Sequence, residues 1–127
     1  MAWLCSDFPS PEASSPTAQP RPRPGRVAIE VVDADPGATT VFIRGELDLV
    51  TMPVLAEHLT RALRGNPERL VLDMAATDFM DCGSARLIAE ASRSLPEGRC
   101  LVIRRPGRGV RRILELTGLD AYCEIDG

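Results

Sequence analysis

The chain has 127 residues, 44% hydrophobic and 26% charged, with a formal net charge of −3 at neutral pH. That length suits one domain with its own core. The mild negative charge gives no pull toward nucleic acid, and aromatics at 4% supply no stacking platform for single strands. Four cysteines and one histidine lie scattered, without a Cys-x-x-Cys pair, so no metal site is expected.

Met1 to Arg26 carries Pro9, Pro11, Pro16, Pro20, Pro22 and Pro24, with Ser10, Ser14 and Ser15 between them. Such a segment buries too little apolar surface to offset its ordering entropy. Residues 1–26 are read as a disordered arm, with Arg21-Pro22-Arg23-Pro24 favouring extended polyproline-like geometry. No basic start, apolar run of ~7–15 residues and small-residue cleavage site follow Met1, so no signal peptide is expected. No apolar stretch approaches the ~20 residues that span a bilayer. The expected location is the cytoplasm, away from membranes.

The ordered domain is expected over 27–126. Val27 to Val32 reads as a strand, Asp33 to Ala38 with Pro36-Gly37 as a turn, and Thr39 to Arg44 as a second strand antiparallel to the first. Gly45-Glu46-Leu47-Asp48 ends it. Thr51 is placed to cap a helix, with Pro53 in the first turn, Leu55, Leu59, Ala62 and Leu63 at helical spacing, and Gly65 as the stop. Arg69 to Met74 is a nearly continuous apolar run, as in a central parallel strand. Thr77 to Gly83 reads as a turn, and Ala85 to Ser94 as a helix with Leu87, Ile88 and Ala91 on one face. After Pro96-Glu97-Gly98 come a strand, Cys100 to Ile103, and a helix marked by Val110, Ile113, Leu114 and Thr117. Gly118 closes that helix. A short edge strand over Ala121 to Ile125 ends the pattern. Helices alternating with strands demand crossovers and a largely parallel sheet: a single α/β domain with a mixed, mostly parallel sheet. Cys100 and Cys123 are read as small core residues.

The chemistry concentrates in Phe79-Met80-Asp81-Cys82-Gly83-Ser84-Ala85-Arg86. A helix start there presents free N–H groups and a dipole favouring negative charge. No general base is at hand for the hydroxyl, so the turn suits reading or modification by a partner. Each residue has two readings. Asp81 orients a partner or a nucleotide, or caps the helix. Gly83 lets a partner backbone approach, or supplies a turn with positive φ. Ser84 is a phosphoacceptor, or a local cap or solvent-facing hydroxyl. Glu46 and Asp48 belong to a contact surface, or form a solvated turn in which Asp48 caps the next helix. They do not make a catalytic pair, having no base, metal set or apolar pocket in view. The run Arg104 to Arg112 is read as a solvated loop and polar helix face rather than a phosphate grip, with Arg111 and Glu115 at i,i+4 spacing. Gly107-Arg108-Gly109 lacks the pattern of a phosphate loop. His58 reads as a surface or partly buried group.

Three stretches carry a resemblance. Gly45-Glu46-Leu47-Asp48, the Phe79–Ser84 turn and Val110–Leu119 with its Thr117-Gly118-Leu119 ending resemble the STAS family in order and spacing. This family comprises anti-sigma factor antagonists and the cytoplasmic domains of sulphate transporters. The resemblance implies a STAS-like domain that binds an anti-sigma factor, a kinase-like ATPase, and so releases a sigma factor. It implies no enzyme activity, no cofactor, no direct nucleic-acid contact and a monomer when alone. It places the contact surface on Glu46, Asp48, Asp81, Cys82, Gly83, Ser84 and Arg86.

The turn departs from the family's Asp-Ser-Ser-Gly. The second serine, which the anti-sigma kinase phosphorylates, aligns with Gly83. Cys82 replaces the first serine and Ser84 the glycine. The acceptor is either lost or moved to Ser84, which one helical residue rotates by ~100°. An alternative reading is a small-ligand or nucleotide sensor using the same helix start. A third is nucleic-acid binding through the arginine run.

Overall fold

The computed structural model describes residues 26–35 and 37–127, with the side chains of Ala34 and Asp35 left aside. The arm expected over 1–26 lies outside these residues, apart from Arg26. The elements are β1 (Val27–Asp35), β2 (Ala38–Leu47), α1 (Met52–Arg64), β3 (Arg69–Met80), α2 (Cys82–Ser94), β4 (Cys100–Arg104), α3 (Arg108–Thr117), a 3-10 turn (Leu119–Ala121) and β5 (Glu124–Asp126).

The five strands form one sheet in sequence order. β1 and β2 are antiparallel, and every later pair is parallel. Each parallel step returns through one helix to the next strand in the same direction. Right-handed crossovers that all step one way put their helices on one face. The core sits between that face and the helices. Val41, Ile43, Leu70, Leu72, Leu101 and Ile103 meet Leu55, Leu59, Ile88, Val110 and Leu114 there. Leu72 in the central strand is fully buried. The ring of His58, expected nearer the surface, is also fully buried, its Nδ1 donating to the Val54 carbonyl at 2.9 Å.

Other expectations need correction as well, among them the last strand, which is Glu124–Asp126 rather than Ala121–Ile125 because Leu119–Ala121 forms a 3-10 turn. The segment Thr77–Met80 is strand, not turn. Its partner decides this: Gly45, Glu46 and Leu47 of β2 lie opposite Thr77, Phe79 and Met80. A strand's length follows its partner as well as local turn propensity. The second helix starts at Cys82, three residues before Ala85, because Asp81 caps it there. Cys100 is exposed rather than core, since it opens β4 at the strand's entrance. Cys123 is half-buried, and burial pushes its thiol up to about 11 despite a bond to Ser92. Gly118 does close α3, at φ 75 in the left-handed region where glycine is favoured.

Candidate functional site

The carboxyl ends of β2 and β3 lie side by side, and two helices start from them. Both loops are pinned by local bonds. At the end of β2, Asp48 Oδ1 accepts from the Thr51 N–H at 3.0 Å, and the Thr51 hydroxyl accepts from the Asp48 N–H at 2.9 Å. The Asp48 carbonyl accepts from Met52 N–H, the first residue of α1, at 2.9 Å. Asp48 therefore does the capping. Thr51, expected to cap, sits at the cap position but turns its hydroxyl back to the Glu46 carbonyl at 2.9 Å. The loop is pinned at its two ends by these bonds, while its tip, Leu49 and Val50, stays in solvent, as expected of a solvated turn with Asp48 as the cap.

At the end of β3, the Asp81 N–H donates to the Leu47 carbonyl at 2.9 Å, which ties the two loops together. Asp81 Oδ1 accepts from the Ser84 N–H at 2.8 Å and so caps α2. This carboxylate occupies the place an anionic ligand would take at the helix start. A phosphate there would meet a negative charge, which works against the nucleotide reading.

The next residues divide sharply. Cys82, Gly83 and Arg86 are exposed, while Ser84 is fully buried. Gly83 is an ordinary helical residue, absent from the positive-φ glycines of the described chain, so the turn-glycine reading is corrected. Ser84 is neither a cap nor solvent-facing: its N–H is bonded to Asp81, and its Oγ is buried without a hydrogen-bond partner. Starting the helix at Cys82 turns residue 84 inward, beside Ala85 and Ile88.

Glu46 is half-buried near the end of β2, opposite Phe79, with its N–H donating to the Arg26 carbonyl at 3.0 Å. The two halves of the expected surface, Glu46–Asp48 and Asp81–Arg86, thus share one end of the sheet. Sequence reasoning missed its apolar part. Leu49 and Val50 are 78% and 73% exposed in the β2–α1 loop, and Phe79 is 48% exposed in β3. An apolar pair inside a turn with no helical or strand period is the signal that could have marked them. Beside this end, a groove of about 390 Å³ runs along α2, lined by Cys82, Arg86, Glu90, Arg93 and Tyr122 among others. The Arg93 guanidinium lies 5.5 Å from the centre of the Tyr122 ring.

Among the described residues, no three His, Cys, Asp or Glu side chains group as a metal site, and no helix is long and apolar enough to cross a membrane. Two residues of the arginine run, both still partly exposed, are paired with the buried Asp73. Arg104 Nε lies 3.1 Å from Asp73 Oδ2, and Arg105 bonds to the same oxygen.

This one-sided sheet, with a helix start capped by Asp81, is that of a STAS domain, and the STAS model matches residues 30–126. The chain belongs to the STAS domain family. Its relatives include the anti-sigma-F factor antagonist RsfB of Mycobacterium tuberculosis, 29% identical over 97 residues, spanning 76% of this chain and 79% of RsfB. The crystal structure of an anti-sigma factor antagonist from Mycobacterium paratuberculosis superposes with a TM-score of 0.75 at 26% identity, over 89% of both chains. The anti-sigma factor antagonist SpoIIAA in its unphosphorylated form shares the fold, with a TM-score of 0.67 at 16% identity over 78% of this chain and 88% of that one.

Proposed function

We propose that this chain is an anti-sigma factor antagonist that binds a kinase-type anti-sigma factor without the usual serine switch. The contact surface is the end of the sheet carrying Glu46, Asp48, Asp81, Cys82, Gly83 and Arg86. The protein does no chemistry itself and acts in the cytoplasm by occupying its partner, releasing a sigma factor.

The observation that carries this reading is the exposure of Leu49, Val50 and Phe79 around the Asp81–Gly83 helix start. Large apolar side chains grouped at one end of a small domain favour a protein partner over water. The relatives named above supply the class of partner. The switch reading rests on two facts. Gly83 has no hydroxyl, and the Ser84 hydroxyl is buried beneath the helix start. A kinase would find no acceptor on this turn without unwinding it.

Calorimetric titration with the cognate anti-sigma factor tests the surface. Replacing Leu49 and Val50 together by serine should weaken binding about tenfold or more, since each apolar side chain contributes ~1 kcal/mol or more when covered. The melting temperature should stay near that of the wild type. Unchanged affinity would move the contact surface elsewhere.

A further inference from the structure

The methionines among the described residues differ in access. Met74 and Met80 are 0% and 1% exposed, inside the core. Met52 is half-buried. Its backbone is fixed as the first residue of α1, where its N–H donates to the Asp48 carbonyl at 2.9 Å. Its side chain crosses to the other loop. The terminal methyl lies over Gly83, at a spot that a Cβ on residue 83 would approach to 2.7 Å. A glycine there leaves the seat open without displacing the methyl.

The surroundings are those of a contact surface. Leu49 and Val50, just before Met52 in the chain, are exposed, and so are Cys82 and Gly83. The thioether therefore links the apolar tip of the β2–α1 loop to the start of α2. A methionine is soft and flexible and makes no strong demand for hydrogen bonds, which suits a contact that is bare in one state and covered in another. With the Ser84 hydroxyl buried and Gly83 carrying none, a switch on this turn needs chemistry other than phosphorylation. The accessible sulphur of Met52 supplies it.

We propose, on the anti-sigma factor reading above, that Met52 is a peroxide-sensitive switch: oxidation of its thioether in the free protein blocks the partner, and reduction restores binding. Hydrogen peroxide supplies the oxygen. The sulphur lone pair attacks one peroxide oxygen, the O–O bond breaks and an S–O bond forms. The second oxygen leaves as hydroxide, takes the proton of the transferred oxygen and departs as water, so sulphur is oxidised and peroxide reduced. The sulfoxide oxygen is a strong acceptor. Covered by a partner that fits a methyl, it loses its water and finds no donor, which opposes binding. Met74 and Met80, being buried, escape the reagent in the folded protein.

The test uses the full chain and its cognate anti-sigma factor. Cys82 is exposed beside Gly83, so thiol products must be told apart from the sulfoxide. Dithiothreitol returns sulfenic acids and disulfides to thiols, whereas the sulfoxide needs the two epimer-specific methionine sulfoxide reductases. Protein treated briefly with hydrogen peroxide and then dithiothreitol should gain one oxygen on the peptide carrying Met52 and keep its melting temperature. Its affinity in calorimetric titration should fall about tenfold or more. The reductases together should restore that affinity. Met52→Leu should keep its own untreated affinity through the same treatment, and Met52→Gln should bind weakly without any oxidant. In the preformed complex, Met52 should oxidise several-fold more slowly than in the free chain. Untreated protein that fails to bind would overturn the anti-sigma factor reading and the switch with it. Untreated protein that binds, and binds equally well with an oxygen on Met52, would overturn the switch alone. So would a loss of affinity that persists in Met52→Leu, or a Met52 that peroxide leaves unmodified.

Discussion

The terminal methyl of Met52 overhangs Gly83 so closely that a Cβ added to Gly83 would stand 2.7 Å from it. The starts of α1 and α2 are therefore packed against each other at residue 83. The glycine has helical backbone geometry, so the obstacle to a serine there is one flexible side chain.

Gly83→Ser should consequently fold, with Met52 swinging aside. The clash and the gain from removing a helical glycine oppose each other, leaving a net change within about 1 kcal/mol in urea unfolding. Adding Met52→Ala should make the serine more favourable than it is in the wild-type background, a coupling that a double-mutant cycle measures. Strictly additive effects would show that Met52 does not confine residue 83.

Asp81→Ala removes the cap of α2 and should lower stability by about 0.5–2 kcal/mol. Asp81→Asn, which keeps an accepting oxygen, should recover most of the loss. Equal losses in both variants would mean that the carboxylate acts through its charge rather than as an acceptor for the Ser84 N–H.

Leu72→Ala should lower stability by about 2–5 kcal/mol, because the side chain is fully buried in the central strand. Chemical denaturation gives the value. A loss under about 1 kcal/mol would contradict the placement of the core.

Asp73 sets a pH dependence. Burial alone would raise its pKa, but bonds from Arg105, the Ala75 N–H and Arg104 outweigh that and hold it below the usual value. The unfolded chain then binds a proton more readily than the native one. The contribution is present in full above the unfolded value of ~3.9 and is lost as pH falls below it toward the lowered native value. Asp73→Asn should reduce stability at neutral pH by about 1–3 kcal/mol and flatten the acid limb of a stability-against-pH curve. An identical acid limb in wild type and variant would exclude Asp73 as its source.

Much of the fold was legible because Leu55, Leu59 and Ala62 repeat at helical spacing and Leu70 to Leu72 and Leu101 to Ile103 form unbroken apolar runs. Those signals are local. The segment Thr77–Met80 was misread because its threonine and aspartate favour turns, whereas its pairing with Gly45–Leu47 is a long-range fact. Cys82 and Gly83 concealed the helix start, and with it the inward turn of Ser84. Glu46, Asp48 and Asp81 were legible as a motif, but their mutual tie through the Leu47 carbonyl was not. Leu49 and Val50 escaped notice because two apolar residues in a short turn have no period.

The central claim is that this chain binds its anti-sigma factor but offers it no acceptor on the Asp81–Ser84 turn. The most direct measurement is mass spectrometry of the protein after incubation with its cognate anti-sigma kinase and ATP, with the complex followed by gel filtration in parallel. The expected result is a complex that persists and a chain of unchanged mass, with Gly83→Ser gaining one phosphate under the same conditions. A stoichiometric phosphate on Ser84 of the wild type, with release of the partner, would contradict the claim.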